Sequence, residues 1–350
     1  METGNYKKHL ILSGSTIKKA LKQLDVLAVD AIVFVLDKEG KLVGSLTDGD
    51  VRRGLLKGFT IDDMVDHVIQ PNPKFIRKGE RNIDKVIEYR ENDFRIIPIL
   101  DKNDKVVNVI NFRKLKSYLP VDAVVMAGGR GERLRPLTDN VPKPLLKIGE
   151  KPILQHNIDR LISYGIDDIW ISINYLGEQI KSYFGDGNKE SVVIKYVSED
   201  SPLGTIGAVS KIKEFQHDYI LLTNSDLLTN LDYEQFFLEF IKQDADFAVV
   251  TIPYKVSVPY AVLETSNGHV VDFKEKPTYT YYSNGGIYLM KKEIVEMIPE
   301  NTFYNTTDLM EDLILKKKKV LSFPFYGYWL DIGKPEDFKK AQEDISRYSF

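Results

Sequence analysis

The chain has no cysteine among its 350 residues. Disulfides, thiolate chemistry and cysteine-based zinc sites are therefore excluded. Histidine is scarce as well: His9, His67, His156, His217 and His269 lie scattered and fall in none of the motifs below, so they read as structural. An excess of charge is missing too. A net charge of −3 offers no electrostatic footprint for nucleic acid or for an anionic membrane. No segment approaches the roughly 18 apolar residues that a membrane-spanning helix needs. The N-terminal METGNYKKHLILSGST has only a short apolar stretch and no cleavage-site pattern. The expectation is a cytoplasmic globular protein with no nucleic-acid or membrane partner. At roughly 100–200 residues per domain, it would have two or three domains.

What is present begins with a repeat. IVFVLDKEGKLVGSLTDGDVRRGL (32–55) and IIPILDKNDKVVNVINFRKLKSYL (96–119) share Ile32/Ile96, Leu36/Leu100, Asp37/Asp101, Lys38/Lys102, Lys41/Lys105, Val43/Val107 and Leu55/Leu119 at one fixed offset. Each copy reads as strand, turn, strand, helix. Each is preceded by a helical pattern, TIKKALKQLDV or NIDKVIEYREN. Repeated units of this size stack to bury a shared core. The Gly44-Ser-Leu-Thr47-Asp-Gly-Asp50 stretch entering a helix makes residues 1–119 resemble a tandem pair of CBS domains, about 8–58 and 59–119. The resemblance implies that Thr47 and Asp50 hold the ribose of a regulatory nucleotide, and that the chain forms a homo-oligomer. The second copy departs from the pattern with Asn108, Asn111 and Lys114.

From Pro120 to Phe350, strands alternate with helices: DAVVMAGG, DDIWISINY, VVIKYVSE, DYILLTNSD and ADFAVVTIPY against PILQHNIDRLISYG, GEQIKSYFG, GAVSKIKEF and LDYEQFFLEFIKQD. This alternation implies an α/β domain with a mainly parallel, Rossmann-like sheet, whose ligand lies beyond the carboxyl ends of the strands. At the first such end stands VVMAGGRGERLRPLTDNVPKPLL (124–146). It lacks the third glycine of a dinucleotide fingerprint and the Gly-Lys-Ser/Thr of a P-loop. It offers bare backbone N–H groups beside Arg130, Arg133, Arg135 and Lys143, a density of positive charge suited to a triphosphate. Asp226, after YILLTNS, and Asp331, after YGYWL, are acids at strand ends of the kind that hold a divalent cation.

The string G-G-x-G-x-R-L-x-P-L-T followed by P-K-P resembles the signature of sugar-1-phosphate nucleotidyltransferases. The resemblance extends over residues 121–350. It implies that Gly128, Gly129 and Gly131 cradle the nucleotide, with Arg133 and Lys143 at the reacting phosphates and Mg²⁺ held by Asp226 and Asp331. EDSPLGTIGAV (199–209) is similar to the base and ribose loop, which adds Gly204 and Thr205. Glu275-Lys276-Pro277 and Asn284-Gly285 are similar to the sugar-phosphate motifs. Tyr260-Ala261 stands where Tyr-Gly is usual. With a CBS pair in front, the arrangement resembles the glucosamine-1-phosphate guanylyltransferases of bacterial legionaminic acid biosynthesis. GTP and glucosamine 1-phosphate are then the expected substrates, ahead of mannose 1-phosphate with GTP and of UTP or dTTP with another hexose phosphate. No hexapeptide-repeat segment is present to suggest an acetyltransferase half. A non-catalytic nucleotide sensor is the contrasting reading, and the presence of the arginine, the lysine and both aspartates argues against it.

Overall fold

The computed structural model describes residues 5–80, 83–187 and 192–347. The first unit contains β1 (Leu10–Leu12), α1 (Ile17–Leu27), β2 (Ile32–Leu36), β3 (Leu42–Thr47), α2 (Asp48–Leu56) and β4 (Gln70–Pro71), with the four strands hydrogen-bonded in that order. α1 starts where the Thr16 side chain accepts a bond from the Lys19 amide, and it buries Ile17, Ala20, Leu24 and Leu27 along one face. The second unit contains β5 (Ile76–Arg77), α3 (Ile83–Glu91), β6 (Ile96–Leu100) and β7 (Val106–Asn111). Asp37 and Asp101 fold the same turn in each unit, accepting backbone N–H bonds from residues two and four further on. The units meet through equivalent positions. Lys41 bridges Lys105, while Leu36 and Leu100 share one small apolar cluster.

The repeat is imperfect at its end. A helix over FRKLKSYL is expected in the second unit, but 112–120 is irregular. The first unit has a Thr47–Asp50 capping box to start its helix. In the second, Asn111 turns its side-chain oxygen onto the Arg113 amide, and the chain then runs by Pro120 into the next strand.

The larger part is built on a seven-stranded sheet: β8 (Val121–Met126), β11 (Asp168–Ile173), β12 (Val193–Ser198), β13 (Tyr219–Asn224), β15 (Phe247–Ser257), β18 (Thr278–Lys291) and β19 (Val320–Pro324). Its order is β12-β11-β8-β13-β18-β15-β19, and only β18 runs against its neighbours. Four short strands lie outside it: β9 (Lys147–Ile148), β10 (Lys151–Pro152), and the antiparallel pair β14 (Leu227–Thr229) and β20 (Trp329–Asp331). β16 (Val262–Ser266) and β17 (His269–Lys274) form a separate hairpin. Five helices cover the sheet: α4 (Ile153–Ser163), α5 (Gly177–Phe184), α6 (Tyr233–Lys242), α7 (Thr306–Leu315) and α8 (Pro335–Asp344). α6 shows how they seal the core. Asp232 caps it, and Tyr233, Phe236, Phe237 and Phe240 are buried, each burial contributing about 2 kcal/mol.

GAVSKIKEF, expected as a helix, is only a 3₁₀ turn over Gly207–Lys211. Gly207 lies so close to the Thr302 carbonyl that a Cβ there would approach it to 2.7 Å, and Ile212 continues extended into the core. The main core also crosses residue 120. Ile83, Val86, Ile97, Ile99 and Ile110 of the second unit pack in one cluster with Val121, Leu161, Ile169 and Phe236. Arg90 makes a two-pronged bond to Glu234 at 2.9 and 2.8 Å, tying α3 to α6. None of the helices among the described residues is long and apolar enough to cross a membrane.

Candidate active site

The parallel strands end together, and the sequence places its most charged loops there. β8 runs out at Met126, and Ser225 donates its amide to the Met126 carbonyl, which brings the turn after β13 beside the glycine loop. Asp226 is the next residue. Asn157, buried on α4, donates to the Ser225 carbonyl at 3.3 Å and steadies that turn. β14 and β20 pair Leu227 with Asp331, and the Ile332 amide donates to the Asp226 carbonyl at 3.0 Å. Two aspartates 105 positions apart in the sequence thus stand on adjacent strand ends.

Their carboxylates are differently satisfied. Asp226 Oδ2 accepts from the Lys143 ammonium in a short ion pair, and Lys143 is itself buried. Asp226 Oδ1 and Asp331 Oδ1 are both buried and have no hydrogen-bond partner. Burial, followed by the negative charge of Asp226, pushes the Asp331 carboxyl above the usual carboxylate range against the pull of Lys143 and Arg133. Two buried acidic oxygens without partners, on carboxyls whose charges act on one another, are costly as they stand. Two such carboxylate oxygens are of the type that could hold a hard divalent cation. The Arg133 guanidinium completes the cluster. A Cβ on Gly333 would come within 3.1 Å of its Nη2 and 3.4 Å of Asp331 Oδ1, so Gly333 leaves the room that the arginine fills.

The glycine loop wraps over this cluster. Gly131 sits at φ +62°, and a Cβ there would press on the Lys143 side chain at 3.0 Å. A Cβ on Gly128 would approach Glu199 Oε1 to 3.0 Å, whereas Gly129 faces open space. Glu199 is pinned from both sides, accepting from Ser172 Oγ at 2.6 Å and from the Leu203 amide at 3.0 Å. That clamp fixes where the 199–209 loop leaves β12. Arg130 lies over the Tyr175 ring, and Arg135 pairs weakly with Asp139 on the surface.

Next to the acids is a cavity of about 280 Å³ lined by Thr205, Asn224, Asn284, Gly285, Thr306 and Asp331, among others. Thr205 therefore stands on the same side as Asn284 and Gly285, the residues expected at the sugar. Its hydroxyl accepts from the Thr306 amide at 2.9 Å, and the Thr306 hydroxyl donates to Tyr288. Gly204, at φ +77°, backs against the Tyr304 carbonyl. Trp329 donates its indole N–H to the Gly285 carbonyl at 2.8 Å, fixing the bend where β18 enters the sheet. Sequence reading passes over Asn157, Tyr288, Thr306 and Trp329. Trp329 stands two residues before Asp331 in a quoted motif, but nothing local marks the other three, because only the folded sheet and the start of α7 bring them together.

Tyr260, Glu275 and Lys276 are not in this cavity. All three are exposed, and they flank the β16–β17 hairpin. Thr47 and Asp50, expected at the ribose of a regulatory nucleotide, are engaged with one another at the start of α2. Asp50 is 3% exposed, Oδ2 accepts the Thr47 amide and hydroxyl, and Oδ1 accepts from Gln70 and Arg53. A carboxylate so placed caps the helix.

Another acidic cluster lies at the opposite, amino ends of the strands. Ligand atoms of Asp167, Asp168 and His217 fall within 4.8 Å of one another. Lys78 from the second unit already places its ammonium 3.0 Å from Asp168 and 3.7 Å from Asp167. Burial opposes the charge on Asp168, but the bond from His217 and the Lys78 charge outweigh it and hold that carboxyl down at about 2. This cluster is the electrostatic seam between the two parts of the chain.

Residues 122–347 match the nucleotidyl transferase family, and residues 10–57 match the CBS domain. The D-glycero-alpha-D-manno-heptose 1-phosphate guanylyltransferase of Aneurinibacillus thermoaerophilus is 33% identical over 236 residues, which is 65% of this chain and 100% of that protein. The mannose-1-phosphate guanylyltransferase of Mycobacterium tuberculosis is 32% identical over 236 residues, 65% of each chain. The crystal structure of HddC from Yersinia pseudotuberculosis complexed with GMP-PN superposes with a TM-score of 0.50 at 27% identity, over 64% of this chain and 99% of that one. A mainly parallel sheet, a glycine–arginine loop on its carboxyl edge and a family match spanning that whole sheet lead to one conclusion: this chain belongs to the nucleotidyl transferase family and carries a CBS domain ahead of its transferase part.

Proposed function

We propose that the chain is a sugar-1-phosphate guanylyltransferase that joins GTP to a hexose 1-phosphate and releases pyrophosphate. The observation that carries this is the meeting of Asp226, Asp331, Lys143 and Arg133 at one sheet edge, with two carboxylate oxygens left unpartnered. GTP is supported by the P-L-G-T-x-G-A wording of 202–208 and by the two guanylyltransferases among the relatives. The resemblance of the whole arrangement favours glucosamine 1-phosphate as the acceptor. Mannose or heptose 1-phosphate is the second reading, favoured by what the two relatives are named for.

In the reaction, an oxygen of the sugar phosphate attacks the α-phosphorus of GTP. The new P–O bond forms as the bond to the β-phosphate oxygen breaks, and pyrophosphate leaves with that electron pair. The attacking oxygen is already anionic at neutral pH, so no base is needed, which fits the absence of any histidine from the cluster. The difficulty is bringing two polyanions together. Arg133 and Lys143 offset that repulsion, and the Gly128–Gly131 backbone lies where its N–H groups can meet phosphate oxygens. A Mg²⁺ ion held by Asp226 and Asp331 would supply further neutralisation of the triphosphate. The start of α7, capped by Asn305, puts the positive end of a helix dipole on the cavity wall beside Thr306.

The test is pyrophosphate release across a panel of GTP, UTP and dTTP with glucosamine, mannose, heptose and glucose 1-phosphates. GTP with one of the first three should turn over. Asp226→Asn should abolish Mg²⁺-dependent turnover while circular dichroism stays native. Full activity in that variant, or no turnover with any pair, would refute the reading.

A further inference from the structure

The amino ends of the strands carry acids that the transferase reading does not use. β11, β8 and β13 are neighbours in the sheet, and the registers Ile169↔Ala123 and Ile220↔Asp122 set Asp168, Asp122 and the residues just before Tyr219 along one edge. This edge is buried: Asp122 is 0%, Asp168 6% and His217 3% exposed. Among the described residues, the ammonium within ion-pair reach of it is that of Lys78, and Asp167, Asp168 and Asp122 all act on that charge. One cation thus faces three carboxyls, and buried acid in excess of its counter-charge is costly.

The atoms left over are metal-ligand atoms. His217 Nδ1, Asp122 Oδ1 and Asp168 Oδ2 are buried and take part in no well-aligned hydrogen bond. Asp167, Asp168 and His217 each offer a ligand atom, all within 4.8 Å of one another. His217 Nε2 lies 3.7 Å from Asp168 Oδ2. A tetrahedral zinc ion, at about 2.0–2.1 Å from each ligand, spaces its ligands by ~3.4 Å, so this pair is already close to that geometry. Two carboxylates with an imidazole suit zinc better than magnesium, which takes oxygen ligands. The candidate ligands are also held from behind. Asp122 accepts the His217 amide at 2.8 Å, and the Tyr118 hydroxyl donates to Asp167 at 3.2 Å.

We propose that Asp167, Asp168 and His217 form a site for zinc or a similar transition-metal ion, which the Lys78 ammonium closes while it is in place. The ion and the ammonium sit in the same field and repel one another, so binding drives Lys78 out. Lys78 belongs to the second N-terminal unit. Its amide donates to the Leu100 carbonyl, and a Cβ on Gly79 beside it would lie 3.7 Å from the Gln216 carbonyl. Withdrawal of Lys78 loosens this turn from the transferase part, so the ion alters the contact between the two parts of the chain. The inference does not depend on the transferase reading or on the Mg²⁺ expected at Asp226 and Asp331.

Zinc binding, read by calorimetry and by thermal melts, tests it. Every full-length chain used carries Asp226→Asn and Asp331→Asn, so that the carboxyl edge of the sheet offers no pair of carboxylates to the ion. With Lys78 present, Zn²⁺ should bind weakly, one ion per chain. Lys78→Met should bind it about ten-fold more tightly or better, because the competing charge is gone, and should melt at a higher temperature with the ion than without it. Lys78→Gln gives the same comparison should Lys78→Met fail to fold. His217→Gln should lose the ion whichever residue stands at 78. Binding that survives His217→Gln belongs to the other histidines and would overturn the site, as would the absence of any binding once Lys78 is replaced. In the chain that keeps Lys78, saturating Zn²⁺ should speed amide hydrogen exchange in β5 and at Lys78. Exchange unchanged at saturation would overturn the displacement of the lysine.

Discussion

Lys143 and Asp226, separated by 83 positions, form an ion pair at the carboxyl edge of the sheet that leaves one oxygen of the aspartate without a partner. The lysine therefore faces in two directions. It holds the acid in place, and it stands within the positive cluster that a triphosphate would meet. Lys143→Met should lower kcat/KM by roughly 10²–10³, about 3–4 kcal/mol, in line with the loss of one preorganised electrostatic contact. Lys143→Arg should recover part of that loss, because the charge returns with a different reach. Steady-state kinetics on the three proteins decides the matter, and equal rates would remove Lys143 from the mechanism.

The seam at the amino ends of the strands predicts a pH dependence of stability. Asp168 is held at about 2 in the folded chain against 3.8 for the free group. A depressed carboxyl contributes stability that is present above pH ~4 and is lost as the pH falls towards 2, on the order of 2 kcal/mol for this group. Thermal melts should therefore fall between pH 4 and 2 more steeply in the wild type than in Asp168→Asn. Lys78→Met removes the lysine charge from the Asp167–Asp168 pair and should destabilise the chain by about 3 kcal/mol at neutral pH. A melt of Lys78→Met unchanged at pH 7 would contradict this account.

Asp50 predicts stability without catalysis. Its carboxylate is held low because four hydrogen bonds outweigh the cost of burial. Asp50→Ala removes a capping box and strands Gln70 and Arg53, a loss of about 2 kcal/mol. The variant should melt several degrees lower with kcat unchanged, and adding AMP, GMP or GDP should alter neither protein through this residue. A nucleotide response that Asp50→Ala abolishes would restore the ribose-binding role implied by the motif.

Trp329 predicts an effect on one substrate only. Trp329→Phe keeps the ring packing and deletes the N–H bond to the Gly285 carbonyl. The KM for the sugar phosphate should rise several-fold, about 1 kcal/mol, with the KM for GTP unchanged. A rise shared by both substrates would mean the indole supports the whole site and not the cavity wall.

Much of this was legible in the residues. The apolar runs YILLTNS and YGYWL, with Asp226 and Asp331 directly after them, read as strand ends, and the structure pairs β14 with β20 so that the two acids stand on adjacent strand ends. The 64-residue repeat from Ile32 to Ile96 foretells the pairing of Lys41 with Lys105. Three features lay beyond that reading, for three physical reasons. The Thr47–Asp50 string does not show that Gln70, twenty residues on, also donates to Asp50, because only the folded sheet brings β4 beside α2. The helix expected after β7 fails because a side-chain turn at Asn111 competes with it. The placement of Lys276 depends on how far a ladder runs before it turns, which alternation of residue types does not encode.

The hydrophobic cluster that runs from Ile97 and Ile99 into Ile169 and Phe236 has a consequence for communication along the chain. A lobe hung on a flexible tether can swing, but one sharing its interior with its neighbour moves only by small slips of packed layers. Any message from the N-terminal third must reach the phosphate chemistry as a change in rigidity or a sub-ångström shift of β8.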